Sequence, residues 1–270
     1  MEFLLLFFIF LFGAIIGSFL NVIATRYATG ISFRGRSFCR LCGHTLAWYD
    51  LIPFLSFVFL RRKCRYCSCK ISWQYPLMEL LGGALFAVLF LKFSPQLLES
   101  PFAAAEFIYF LVLFSFLLII GVYDFHNHII PNRLVYLFTG LALLVPLGAT
   151  SLPPSLLWLI AGPLLATPFA LLWLISGGRW IGLGDSKLVW GIGWMLGLSS
   201  GVAAILIAFW VGALMGTALL VAPRISVLLG SGKRYTMKSE LSFAPLLILG
   251  VFIVYYWNIS FFHIQLFLTL

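Results

Sequence analysis

The chain has 270 residues, 63% of them hydrophobic and 9% charged, with a formal net charge of +9 and a mean hydropathy of +1.09; soluble domains carry roughly 25% charged residues, so this is the composition of an integral membrane protein. At about 20 apolar residues per helical crossing, the length allows roughly eight or nine spans and one modest aqueous domain, which excludes a large soluble catalytic domain. Long unbroken apolar runs, in place of short segments of alternating polarity, exclude a β-barrel and predict an all-α polytopic fold.

Eight apolar runs follow one another: Leu4 to Val22, Pro76 to Leu91, Phe102 to Val122, Leu134 to Leu147, Leu156 to Ile175, Leu188 to Leu198, Val202 to Ala222 and Phe243 to Trp257. They predict about eight transmembrane helices, the fourth, sixth and eighth being short enough to require tilt or a partly re-entrant path. No basic region precedes the first run and no small-residue cleavage site follows it, so it is expected to remain as a span. Gly13 with Gly17 and Gly193 with Gly197 have the small-xxx-small spacing of close helix contacts.

Lysine and arginine set the orientation, because positively charged loops stay cytoplasmic. The loop after the first run holds Arg26, Arg34, Arg36, Arg40, Arg61, Arg62, Lys63, Arg65 and Lys70. With that loop inside, eight alternating spans also place Arg133, Arg179, Lys187, Arg224, Lys233, Arg234 and Lys238 inside, leaving Lys92 as the single exception among 17 basic residues. Both termini are then outside. The basic excess is a topology signal, with an added attraction to anionic lipid headgroups; nucleic-acid binding explains it poorly.

The organisation expected is a first span over residues 1–25, a cytoplasmic zinc-binding domain over 26–75, and a multi-span membrane domain over 76–270. All five cysteines lie in the middle segment, as the pairs Cys39/Cys42 and Cys64/Cys67 with Cys69 following. Two CxxC pairs suit tetrahedral zinc, and four thiolates leave no open coordination position, so the metal is structural. Cys69 is spare on this reading, with a substitution for Cys67 open to it, and His44 is an alternative ligand. Between the pairs, the apolar stretch WYDLIPFLSFVFL either lies along the membrane interface or packs on the helices.

Ionisable groups beside membrane spans are costly and mark candidate sites. Glu2, Glu99 and Glu106 fall near outer ends, and Glu240 lies in a basic loop. Asp50 reads most simply as a turn residue and Glu79 as a buried helix-end acid near the zinc loop. Asp124, in GVYDFHNHIIPNRL, and Asp185, in RWIGLGDSKL, are 61 positions apart yet fall at the same membrane face. Two neighbouring carboxylates in a partly dry site supply one acid and one base, the requirement for aspartic proteolysis. Helix capping, or pairing with Arg133 and Lys187, fits the same spacing. Gly182 and Gly184 permit close backbone approach and unusual dihedrals beside Asp185. His126 and His128, at i and i+2, do not share a helix face and make a poor metal pair.

These residues resemble the type IV prepilin peptidases, GxGD-type aspartic proteases of the membrane. The resemblance rests on GSFLNV (Gly17 to Val22) with Arg26, the two CxxC pairs, WYDLIP, ISWQYPLMELL, Asp124 ahead of IIPN, and GLGD (Gly182 to Asp185) followed by SKL. It implies catalytic Asp124 and Asp185 and cleavage of the basic leader from type IV prepilins or type II secretion pseudopilins. Cleavage would follow a Gly, at the cytoplasmic face of the bacterial inner membrane. It also implies N-methylation of the new N-terminal residue with S-adenosylmethionine, for which no residue here is singled out. Two departures stand out: Asn132 replaces the usual acid after the Ile-Pro pair, and a later glycine-bearing segment reads SFAP (Ser242 to Pro245). A proton- or ion-coupled transporter is the rival reading and predicts acids deeper in the spans, with an inverted repeat that the sequence does not display. A zinc enzyme is disfavoured by the closed four-cysteine spacing.

Overall fold

The computed structural model describes residues 2–27, 35–97, 101–144, 156–221 and 242–261. Arg34, Glu99, Arg224, Lys233, Arg234, Lys238, Glu240 and the end of the fourth apolar run lie outside them. Among the described residues the fold is all-helical: α1 (Glu2–Arg26), a 3₁₀ turn (Trp48–Leu51), α2 (Leu55–Phe59), α3 (Gln74–Leu97), α4 (Pro101–Asn127), α5 (Asn132–Ala142), α6 (Leu156–Ser176), α7 (Leu183–Val221) and α8 (Ala244–Trp257). Five of these, α1, α3, α4, α6 and α7, are long and apolar enough to cross a membrane, which makes the chain a multi-pass membrane protein. Among the described residues each of the eight apolar runs falls mainly on a helix, but the sixth and seventh share α7. That helix breaks at Gly197, whose φ of 77° and ψ of 177° no helix accommodates. Gly197 thus marks a break between helices and has no neighbour within 4 Å of its open face.

The chain divides into two compact units, residues 1–119 and 120–270. In the first, α1 lies along α3. Backbones approach closely because both helices are notched with glycine: a Cβ on Gly82 would sit 2.5 Å from the Gly13 carbonyl oxygen, and one on Gly17 would strike the Met78 carbonyl. The pairing of Gly13 with Gly17 is thus used for packing. Two polar rungs cross the same seam, Ser18 Oγ donating to Glu79 Oε1 at 3.2 Å and Gln74 Nε2 to Asn21 Oδ1 at 2.8 Å. In an apolar medium such polar pairs fix register more than they add stability.

In the second unit α7 is the hub, packing on α5, α6 and α8. Gly193 meets Gly162 of α6, where an added Cβ would lie 2.7 Å from Cα, and two indoles lock the same pair: Trp158 Nε1 donates to Trp194 O and Trp194 Nε1 to Leu159 O, each at 2.9 Å. Gly191 receives the ring of Phe138 from α5, and Gly250 of α8 faces the Ala204 carbonyl. This close packing holds the first turn of α7, and with it Asp185, against its neighbours.

Candidate active site and metal centre

Asp124 lies in the last turn of α4. The helix stops four residues later because His128 adopts a left-handed φ of 53° and donates its N–H back to the Asp124 carbonyl at 2.7 Å. Pro131 then caps α5. Asp185 is the third residue of α7, whose start the glycines of GLGD supply. Both aspartates belong to the second unit, and the contact that draws their segments together is steric: a Cβ on Gly184 would lie 2.8 Å from Ile130 Cβ, so only glycine admits the Ile-Pro segment that follows Asp124. Asp124 is buried, Asp185 half-buried, and their carboxylates are near enough to interact electrostatically.

Backbone amides border both groups, that of Ala244 beside the Asp124 carboxylate and that of Gly182 beside the Asp185 carboxylate. Gly182 and Gly184 have no left-handed φ, unlike the unusual dihedrals expected of them; at Gly184 the missing Cβ is what makes room for Ile130. Neither aspartate takes part in an ion pair among the described residues. Lys187 instead donates to Asn132 Oδ1 at 2.9 Å and lies over the Tyr136 ring, so the departure at Asn132 leaves a neutral partner for that lysine.

His128 and Ser242 complete the surroundings of Asp124 and were not singled out for that role by spacing. Ser242 Oγ donates to the Asp124 carbonyl at 3.1 Å and lies 2.8 Å from His128 Nδ1. One arrangement satisfies both contacts, with His128 Nδ1–H donating to Ser242 Oγ. His126 bonds Val122 of its own helix, so the two histidines do not converge on a metal. The sole sequence signal was SFAP, which lies more than a hundred positions from Asp124.

In the first unit, two turns of matching construction carry the cysteines. Cys39 N–H donates to His44 O and Gly43 N–H to Cys39 O; Cys64 N–H donates to Cys69 O and Ser68 N–H to Cys64 O. Each turn is closed by a bridge, Phe38 with Thr45 and Lys63 with Lys70, and each uses a left-handed fifth residue, Gly43 at φ 70° and Ser68 at 56°. Position for position, His44 corresponds to Cys69. The sulfur atoms of Cys39, Cys64, Cys67 and Cys69 lie within 4.8 Å of one another, with Cys39 3.8 Å from Cys67 and 3.6 Å from Cys69. A zinc–sulfur bond of about 2.3 Å in a tetrahedron separates sulfurs by about 3.8 Å, so these thiols fit the ion. The expected set contained Cys42 where this group has Cys69; Cys42 lies near Cys39 and Cys67 but outside the compact group. The Cys42 backbone N–H draws the Cys39 thiol down to about 6, favouring the thiolate a metal needs. His44 stacks on Tyr66, with centroids 3.6 Å apart, and is not in the sulfur group.

Asp50 and Glu79, also in this unit, are anchors. Asp50 accepts from Arg65 Nε at 2.8 Å, Tyr66 Oη at 3.3 Å and Ala47 N–H at 3.3 Å, tying the 3₁₀ turn to the second cysteine turn. Glu79 accepts the Phe54 N–H at 2.9 Å as well as Ser18 Oγ, fastening the cysteine-bearing segment to α1 and α3.

An all-helical, multi-pass membrane protein with paired carboxylates and a four-sulfur cluster is thus the class that fold and site define. Residues 11–93 match the bacterial peptidase A24 N-terminal domain and residues 111–217 the type IV leader peptidase family. The prepilin leader peptidase/N-methyltransferase of Bacillus subtilis is 34% identical over 257 residues, covering 93% of this chain and 94% of its own. The proteins of the same name from Myxococcus xanthus and Klebsiella pneumoniae are 35% and 36% identical, covering 80% and 70% of this chain and 63% and 84% of theirs. No solved structure matches. The chain belongs to the type IV leader peptidase family.

Proposed function

We propose that this protein is a membrane aspartic endopeptidase that removes the basic leader of type IV prepilins or type II secretion pseudopilins after a Gly, and then N-methylates the new N-terminus with S-adenosylmethionine. The observation that carries the reading is the seating of Ile130 on Gly184, which supports Asp124 and Asp185 acting as a pair. Close carboxylates favour a singly protonated pair. One aspartate takes a proton from water as its oxygen attacks the scissile carbonyl carbon, and the other gives its proton to the carbonyl oxygen. Collapse breaks the C–N bond and the amine leaves with a proton. Methyl transfer rests on the names of the relatives, and the methyl donor supplies only the methyl group.

The distribution of lysine and arginine supports eight spans, outer termini and a cytoplasmic site in the bacterial inner membrane, with residues 26–75 as the zinc domain and 76–270 as the protease domain. Zinc on four thiolates, Cys39, Cys64 and Cys67 with Cys69 or Cys42, holds that small domain together and offers no site for water. A transporter is disfavoured because Glu79, Glu106, Asp124 and Asp185 each fall within the first or last six residues of a helix. The test is incubation of purified protein in lipid with a prepilin-type substrate, with and without S-adenosylmethionine, for wild type, Asp124→Asn and Asp185→Asn, read by mass spectrometry. Loss of cleavage in both folded variants supports the pair, and wild-type cleavage by either refutes it. An added methyl mass in the wild-type product supports the second activity, and its absence refutes it.

A further inference from the structure

An open hollow of about 390 Å³ lies in the first unit beside the start of α3, lined by Phe54, Phe57, Val58, Arg61, Arg62, Trp73 and Pro76. Neither catalysis nor the sulfur cluster uses it. Its wall is almost wholly apolar, while its rim carries two arginines. Around it the surface is exposed and apolar in a way that a water-facing domain avoids: Leu55, Val58, Phe59 and Trp73 are each more than half exposed. The same apolar surface continues along α3 through Leu77, Leu80 and Leu81, all exposed on a span. The hollow therefore opens at the headgroup level, at the mouth of a lipid-facing stripe. Trp73 stands where an interfacial aromatic belongs.

The arginines occupy an unusual backbone position. α2 ends in a paired cap, Arg62 N–H donating to Phe57 O and Arg61 N–H to Val58 O, each at 3.0 Å. Glycine is the usual left-handed residue in such a cap. Here Arg61 and Arg62 adopt φ of 49° and 63° in succession. Two bulky cations are thus held in a conformation that their side chains disfavour, at the rim of an apolar pocket. Arg62 stacks on Trp73, with its guanidinium carbon 5.2 Å from the ring centroid, and its Nε donates to Ile71 O at 3.2 Å, which orients the planar group. Arg61 is exposed. Over residues 35–73 seven basic side chains face one acid, Asp50, which Arg65 already pairs.

We infer that this hollow is a binding site for an anionic phospholipid, whose acyl chain lies in the Phe54–Phe57–Val58–Trp73–Pro76 cleft and along α3 and whose phosphate is held by Arg61 and Arg62. Charge complementarity selects this occupant. A basic leader peptide is repelled by the rim, and a zwitterionic lipid satisfies the apolar wall but presents a compensating cation to the arginines. The consequence is that the cysteine-bearing segment is fastened to the membrane at one headgroup, beside Phe54, whose N–H also anchors it to Glu79.

The test uses the full chain in phosphatidylcholine nanodiscs doped with brominated-acyl phosphatidylglycerol or brominated-acyl phosphatidylcholine. Bromine quenches indoles on contact, and the Trp73 contribution is the difference between the protein and Trp73→Phe. Half-quenching of that contribution is expected at an order of magnitude lower mole fraction of phosphatidylglycerol than of phosphatidylcholine, and the preference is expected to vanish in Arg61→Gln/Arg62→Gln. Because Arg62 also supports Ile71, the single variant Arg61→Glu serves as a second probe; it leaves that bond intact and is expected to lose most of the preference. Equal quenching by both lipids overturns the site, as does absence of Trp73-dependent quenching or a preference that survives both sets of substitutions. Relief of the phosphatidylglycerol preference by millimolar inorganic phosphate also overturns it, by showing a phosphate site that needs no lipid.

Discussion

Replacing Gly184 by alanine tests the geometry of the active site most directly. The new Cβ would lie 2.8 Å from Ile130 Cβ and 3.3 Å from its Cγ1 and Cδ1. Carbon atoms rest at about 3.5 Å, so one segment must retreat by roughly 0.7 Å. The nearest obstacle is a Cβ, which moves only with its backbone, and Ile130 is buried beside Pro131. Overpacking of this kind costs about 1–3 kcal/mol. A misplacement near 1 Å costs about a hundredfold in rate, so cleavage is expected to fall by about ten- to a hundredfold while the helices remain folded. Gly182→Ala is the control, because its Cβ would meet only Asp185 Oδ2 at 3.4 Å, an ordinary contact. It is expected to lose less than about tenfold. The assay is cleavage of a prepilin-type substrate in lipid, with thermal unfolding of each variant as the folding control. A mild Gly184→Ala beside a severe Gly182→Ala would refute the steric account.

The metal centre yields a contrast of the same kind. Cys39→Ser and Cys64→Ser are expected to abolish bound zinc by elemental analysis, and Cys69→Ser to lose it more completely than Cys42→Ser, because Cys69 belongs to the compact sulfur group; the reverse order would restore the paired CxxC set. Chelation is expected to lower the unfolding temperature first and cleavage only as unfolding proceeds, as for a closed structural site. Asp50→Asn removes the charge facing Arg65 and weakens three hydrogen bonds, so a loss of about 1–3 kcal/mol in denaturant stability is expected, with easier zinc release. Asn132→Asp turns the bond to Lys187 into an exposed ion pair. Its effect on the unfolding free energy is expected to stay below about 1 kcal/mol, with cleavage near wild type.

Membrane class, helical fold and the position of the apolar runs were legible in the sequence because each depends on local composition, which the bilayer reads one segment at a time. Asp124 and Asp185 were legible as candidates for the same reason: charges are rare beside apolar runs, and theirs fall at helix ends. The cysteine pairs pointed to a cluster able to hold a metal through spacing that a single turn can satisfy. Other features depend on contacts between distant segments and have no one-dimensional signature. Gly184 is required by Ile130 across 54 positions, and Ser242 meets His128 across 114. Gly197 had the spacing of a packing glycine and proved to be a break, since only the backbone angles distinguish the two. Cys69 entered the sulfur group because the second cysteine turn brings its sixth residue inward, where the first presents His44. Asp50 read as a turn residue and Glu79 as a buried helix-end acid, but which segments they fasten is decided by partners 15 and 25 positions away. Composition places a residue in a medium; only packing decides which groups it meets there.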